Sequence, residues 1–289
     1  MNVLSLFDGI SCGQVALERA GIKVDKYYAS EINKYAISIT QKNYKNTIQL
    51  GDITKLDISS LKDINLLIGG SPCQDLSVYK FDRNDVKGLN GKKSSLFYYY
   101  VDALERLKPE YFLLENVPMQ DIWKNEITNF LGVEPIEINS NLVSAADRRR
   151  LYWTNIPNVT QPIDKKIMLK DIVLNADEIP EKYWYSKDFI FHGYDKKVQC
   201  TLEMKGHRHM KEVYNLNGKC NTLTTCRGGN LQKKVFQDGK CRKLIPLEYE
   251  RLQTLPDNYT YGISDTERYS TVGDGWTVDV IAHIFKNIK

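Results

Sequence analysis

The sequence predicts a doubly wound α/β domain that carries a small, mainly β region. Short apolar runs alternate with segments of helical period up to Pro118, the pattern of parallel strands joined by helical crossovers. Asp8, Glu31, Asp52, Cys73 and Glu115 follow or close these runs, at the strand ends where open α/β sheets bind ligands. From Gln161 to about Lys240 the helical period fades, and glycine-bearing turns recur among scattered aromatics.

The first strand is Val3–Leu6, broken by Phe7-Asp8-Gly9. Ser11 and Gln14 have capping-box spacing and open a helix that Gly21 ends. A second strand, Lys26–Ser30, leads to Glu31. There a carboxylate can accept hydrogen bonds from ribose hydroxyls or cap the helix that runs from Asn33 to Tyr44. Ile48–Leu50 is a third strand. Asp52 beyond it suits either an adenine amino group, with Ile53 packing on the ring, or an ordinary turn. Leu66–Gly70 is the fourth strand, followed by Ser71-Pro72-Cys73-Gln74. Gly69 and Gly70 leave room for a close approach to Cys73, which is either a nucleophile or a small buried residue. A basic, glycine-bearing loop runs to Lys93, and a helix follows from Leu96 to Leu107. Tyr111–Leu114 is the fifth strand, ending in Glu115-Asn116-Val117. Ile136–Val143 and Leu151–Thr154 read as further strands. A short helix follows at Leu247–Leu252, and an amphipathic helix at Thr277–Ile288.

The 289 residues suit one large domain, or one large and one small. With 42% hydrophobic and 26% charged residues the composition is that of a soluble globular protein. No apolar run approaches the ~20 residues of a membrane span. The amino terminus lacks the basic segment of a signal peptide, so a cytoplasmic location is expected, with the six cysteines reduced. No Cys-x-x-Cys spacing occurs, and no metal site is assigned. Residues 161–243 hold 17 Lys and Arg against 10 Asp and Glu, whereas the whole chain holds 40 against 36. A basic segment on a slightly acidic body suits a polyanionic partner.

Taken together, these motifs resemble the DNA cytosine 5-methyltransferases, in that family's order. Phe7-Asp8-Gly9 is similar to its cofactor loop, Gly70-Ser71-Pro72-Cys73-Gln74 to its catalytic loop, and Glu115-Asn116-Val117 to its base-binding carboxylate. Arg148-Arg149-Arg150 resembles its arginine motif, Arg242-Lys243-Leu244 with Glu248–Asp257 the motif after its recognition region, and Gly273-Asp274-Gly275-Trp276 its last motif. Ala146 stands where the family usually has glutamine, and Asp274 where it has asparagine. Ser144-Ala145-Ala146 ahead of Arg148 and Arg150, and Asp75-Leu76-Ser77 after Cys73, are similar to the mammalian de novo branch.

The resemblance implies a Rossmann-like, S-adenosylmethionine-dependent sheet over residues 1–160, a target-recognition region over 161–241 and a return to the catalytic domain over 242–289. It implies Cys73 as nucleophile and Glu115 as donor to N3 of cytosine, with Arg148 and Arg150 on one face of an extended segment near O2. For S-adenosyl-L-methionine it implicates Phe7, Asp8, Gly9, Ile10, Glu31, Ile32, Asp52, Ile53, Pro72, Leu96, Asp274 and Trp276. For duplex DNA the candidates are Gln74, Ser77, Lys80, Arg83 and Lys87 in the loop. In the basic region they are Lys205, His207, Arg208, Arg227 and Asn230. The expected protein is a monomeric enzyme; the alternatives are a tRNA cytosine methyltransferase and a catalytically silent DNA-binding relative.

Overall fold

The computed structural model describes residues 1–72, 89, 91, 94–226 and 230–289. Cys73, Gln74, Ser77, Lys80, Arg83, Lys87 and Arg227 lie outside the described residues. The chain divides into two compact units. One holds residues 1–138, 149–161 and 280–289; the other holds 139–148 and 162–279. Residues 242–279 thus group with 162–241 by contact, whereas the motif-based division separates them.

The first unit is built on β1 (Asn2–Leu6), α1 (Cys12–Arg19), β2 (Lys26–Ser30), α2 (Lys34–Asn43), β3 (Ile48–Gln49), β4 (Leu66–Gly69), α3 (Phe97–Leu107), β5 (Tyr111–Asn116), α4 (Asp121–Leu131) and β6 (Ile136–Asn139). After the short β7 (Ala146–Asp147) of the second unit comes β8 (Arg149–Thr154). The sheet order is β3-β2-β1-β4-β5-β8-β6. β1 pairs in parallel with β2 and β4, and β4 with β5, while β8 runs antiparallel to β5. Leu4, Leu6, Leu67 and Leu114 are fully buried beside Phe97, Tyr100 and Trp153. Strands this apolar are expected where helices cover both faces.

Two differences from the sequence reading have plain causes. Ser11 does not form the capping box: it adopts a left-handed φ of 56°, and its hydroxyl donates to Asp8. The Gln14 amide donates to Thr47 at 2.8 Å and to the Ser11 hydroxyl at 3.2 Å, so it does not accept from the Ser11 backbone as a capping box requires. Helix α4 was not expected, although Trp123, Ile127 and Leu131 stand at i, i+4 and i+8 and Gly132 closes it at φ 69°.

The second unit contains β9 (Phe189–Phe191), β10 (Val198–Leu202), the single turn α5 (Arg208–Lys211), β11 (Glu212–Tyr214), β12 (Cys220–Asn221), β13 (Lys234–Gln237) and β14 (Lys240–Lys243). Five of these strands form a sheet ordered β14-β13-β11-β10-β9, and β12 pairs with β7. Helices α6 (Pro246–Leu252) and α7 (Asp265–Asp274) follow, and most of the last helix, α8 (Val278–Phe285), belongs to the first unit. Arg242 is wholly buried, bonded bidentately to Glu248 at 2.8 and 2.7 Å and to Gln237 at 2.6 Å. Glu248 also accepts from the backbone of Ile245 and Leu174, so the pair is charge-matched and hydrogen-bonded as burial requires. Cys12, Cys200, Cys220, Cys226 and Cys241 are buried.

Candidate active site

The site begins at the carboxyl end of β1. Phe7, Gly9 and Ser11 all have positive φ, at 59°, 60° and 56°. Two non-glycine residues in this region mark a turn held by its surroundings. Asp8 is at the centre of that hold. Its carboxylate accepts from Ser11 and, at 2.8 Å, from Tyr27, while its N–H donates to Ser30 O at 3.1 Å. Burial pushes the Asp8 carboxyl up to about 6, against the hydroxyl hydrogen bonds that oppose the shift.

Glu31 closes the turn from the neighbouring strand. One carboxylate oxygen accepts from Gly9 N at 2.8 Å, and the other from the N–H groups of Ile32 and Asn33, each at 2.8 Å. The helix cap itself is Asn33, which accepts from Tyr35 N. Glu31 is therefore a clamp between the ends of β1 and β2. Ile32 beside it is 75% exposed, an apolar surface that the first unit does not cover. Asp52 caps a single 3-10 turn by accepting from the N–H and hydroxyl of Thr54, and these bonds hold its carboxyl below the usual range. Ile10 and Ile53 are buried, and Ile53, Phe7 and Leu96 belong to or pack on the core.

At the end of β4, Gly69 is required by packing. A Cβ there would lie 3.0 Å from Leu6 O and 3.0 Å from the Tyr100 ring, so the missing side chain serves sheet and helix packing. The segment Ser71-Pro72 is tethered next. Asn116 is buried at the end of β5, and its Nδ2 donates to Ser71 Oγ at 3.0 Å while its Oδ1 accepts from Val117 N. Ser94, also buried, donates to Pro72 O at 3.4 Å. The chain thus enters the Cys73 segment from a position fixed by the residue after Glu115.

Glu115 and Arg150 meet through strand register. Glu115 pairs with Tyr152 across β5 and β8, and Arg150 lies two residues earlier on the same face. Arg150 Nε is 2.8 Å from Glu115 Oε1, and both side chains are nearly buried. Arg148 has different partners. Strand pairing lapses at Arg148, between β7 and β8. Its guanidinium donates to the carbonyls of Leu223 (3.1 Å), Gly273 (3.4 Å) and Gly275 (3.0 Å), all within the second unit. The expectation that both arginines serve one face is corrected on this point.

The last motif is built into the second unit. Gly273 is required there, because a Cβ would lie 2.4 Å from Thr224 O. Thr225 donates to the exposed Asp274, and Trp276 is half-buried. Of the remaining candidates, Lys205, His207 and Arg208 are exposed. Asn230 is tied down by Tyr185 at 3.3 Å and, through its carbonyl, by the buried Lys234 at 2.7 Å. Sequence reasoning missed Asn116, Tyr27 and the carbonyl cage of Arg148.

A parallel sheet with carboxylates at the ends of β1 and β2, extended by an antiparallel strand, defines the S-adenosylmethionine-dependent methyltransferase class. Within that class the chain belongs to the C-5 cytosine-specific DNA methylase family, whose model matches residues 1–129 and 140–289. Type II methyltransferase M.NlaX of Neisseria lactamica is 27% identical, over 100% of this chain and 96% of its own. Type II methyltransferase M.HhaI of Haemophilus parahaemolyticus is 25% identical, over 100% and 94%. The solved structure of the Entamoeba histolytica methyltransferase EhMeth matches the fold with a TM-score of 0.76 at 19% identity, covering 100% of this chain and 99% of that one. The protein is a cytosine C-5 methyltransferase that uses S-adenosyl-L-methionine. Among the described residues no helix is long and apolar enough to cross a membrane.

Proposed function

We propose that the protein methylates carbon 5 of a cytosine flipped out of a specific duplex DNA sequence, through a covalent adduct between Cys73 and carbon 6. The observation that carries this reading is the Arg150–Glu115 pair, together with the Asn116–Ser71 tether that leads the chain from Ser71 towards Cys73. Carbon 5 of cytosine is too electron-poor to react directly. The Cys73 thiolate forms a bond to carbon 6, and the displaced π electrons make carbon 5 nucleophilic. Negative charge that develops toward N3 and O2 is met by a proton from Glu115 to N3 and by the guanidinium of Arg150. Arg150 also stabilises the carboxylate that remains once Glu115 has given its proton. S-adenosylmethionine supplies the electrophilic methyl group. Loss of the carbon 5 proton to solvent restores the ring double bond as the carbon–sulfur bond breaks and the thiolate leaves, and N3 returns its proton to Glu115.

The residues present fit that cofactor. Glu31 presents a carboxylate suited to ribose hydroxyls, and the exposed Ile32 next to it offers an apolar surface for a ring. Asp8 and Glu31 together set a negative field suited to a cationic ligand. Flipping the base costs a few kcal/mol. The similarity to type II methyltransferases supports a place in a restriction–modification system.

Expression in a methylation-free host followed by bisulfite sequencing tests the reading, with one methylated sequence context expected. Labelled methyl transfer to tRNA and none to duplex DNA would overturn it. Cys73→Ala is expected to abolish transfer while leaving cofactor binding intact.

A further inference from the structure

The small sheet of the second unit ends in a strand with an open outer side. β9 is last in the order β14-β13-β11-β10-β9, and among the described residues its one strand partner is β10. That pairing sets Phe191 opposite Cys200, Ile190 opposite Thr201 and Phe189 opposite Leu202. At its two ends, His192 N donates to Gln199 O at 2.8 Å and Glu203 N donates to Asp188 O at 2.9 Å. Bonded and unbonded pairs alternate along an antiparallel ladder. Asp188, Ile190 and His192 therefore turn their backbone groups toward β10, whereas the N–H and C=O groups of Phe189 and Phe191 point outward. A row of outward backbone groups is a template for another strand.

The edge is also apolar. Ile190 is 53% exposed and Phe191 41% exposed. Tyr194, just past the strand, is 77% exposed and packs edge to face on Phe191 with ring centroids 4.9 Å apart. Phe189 and Phe191 also meet Phe236, at 5.5 and 5.9 Å, which anchors the strand on its own sheet. Exposed strand edges are commonly blunted by a charge or a proline within the strand. In β9 the ionisable residues stand outside the strand, Asp188 before it and His192 after it.

The run Asp188-Phe189-Ile190-Phe191-His192 is self-complementary: an apolar centre with an acid at one end and a base at the other. A second copy laid antiparallel about a two-fold axis at Ile190 sets Ile190 against Ile190, Phe189 against Phe191 and Asp188 against His192. Each outward N–H of Phe189 and Phe191 then meets an outward C=O of the second copy. Moving the axis to Phe189 would set Asp188 against Ile190, and moving it to Phe191 would set Ile190 against His192. The pattern of charge and apolar surface thus selects one register.

We propose that β9 is a self-association edge, through which two copies of this chain form a closed two-fold dimer by antiparallel pairing centred on Ile190. This departs from the monomer that the family resemblance implies. The edge is short and buries less than the ~1,600 Å² of a standard interface, so the dimer dissociates on the order of micromolar concentrations. Closed pairing uses the edge of both copies, so association stops at two.

The test is sedimentation velocity of the full chain, without DNA or cofactor, from roughly 1 to 200 µM. The wild type should pass from monomer to dimer across this range, with no larger species. Ile190→Lys sets two ammonium groups against each other at the axis and should weaken association by roughly tenfold or more, with the thermal midpoint and single-turnover rate at wild-type values. Asp188→Lys should weaken association too, and adding His192→Asp should restore it, because the charges at the two ends are exchanged while the register is kept. A wild type that stays monomeric throughout the range overturns the proposal, as does association that Ile190→Lys leaves unchanged. Failure of His192→Asp to rescue Asp188→Lys overturns the pairing centred on Ile190. A monomeric wild type whose DNA affinity falls with Ile190→Lys overturns the dimer and assigns the edge to the substrate instead.

Discussion

Arg150 and Arg148 have the same side chain, two residues apart, and the structure gives them different work. Arg150 faces Glu115 at 2.8 Å. Arg148 is 4% exposed and holds three backbone carbonyls from two separate segments. Arg150→Met should therefore lower the single-turnover rate by about 100-fold or more, the scale for removing a preorganised charge stabiliser, with stability little changed. Arg148→Met should instead strip donors from buried carbonyls and cost roughly 3 kcal/mol in urea unfolding. A reversed pattern, with Arg148→Met folded normally and Arg150→Met active, would refute both assignments. The arginine motif is legible in the sequence, but the division of labour is not. It depends on the register of β8 against β5 and on the lapse in strand pairing at Arg148. Asn116 was equally hidden, since its role lies in a contact with Ser71, 45 residues away in sequence. Asn116→Ala should reduce turnover more than cofactor affinity, because it frees the segment entering Cys73. Equal losses in both, measured by stopped-flow transfer and by titration calorimetry, would remove the positioning role.

At the scale of elements, the parallel strands were readable because each is a compact apolar run ending in a polar residue. Lys26–Ser30 is observed with the predicted bounds, and the other four strands differ at their ends by a residue or two. Helix α7 was not readable in the same way. Its buried residues include Arg268, Ser270 and Thr271, so it carries little apolar period, and its start is marked only by Ser264 accepting from Glu267 N. The turn after β1 misled for a related reason: the capping residues Ser11 and Gln14 are drawn into bonds with Asp8 and Thr47. Helix α7 also carries the tightest glycine, Gly273. Gly273→Ala drives a methyl group into the Thr224 backbone, and overpacking of that kind costs about 1–3 kcal/mol or more. Urea midpoints of this variant and of Gly262→Ala, where open space surrounds the position but φ is 110°, would separate the clash from backbone strain. A milder effect at Gly273 than at Gly262 would count against the close approach.

For the whole molecule, the charge at the first turn feeds into stability against pH. Asp8 has a folded-state pKa raised from 3.8 to about 6 by burial. The folded state therefore holds the Asp8 proton more tightly than the unfolded chain does. This contribution to stability is fully present below pH 3.8 and is lost as pH rises through about 6. Above that point the folded protein keeps a desolvated carboxylate, which the hydroxyls of Ser11 and Tyr27 only partly offset. Asp8→Asn removes the titration. Its stability relative to the wild type should rise by about 1 kcal/mol between pH 5 and pH 8, the linkage expected from the shift over that window. Unfolding in urea at both pH values, without cofactor, measures the difference directly. A gap that stays constant or shrinks toward pH 8 would mean that Asp8 titrates in its ordinary range. The same measurement with S-adenosyl-L-methionine, a sulfonium cation, added bears on the site. A cationic ligand beside Asp8 favours the carboxylate, so it should lower the Asp8 pKa and flatten the wild-type profile, while leaving the Asp8→Asn profile unchanged.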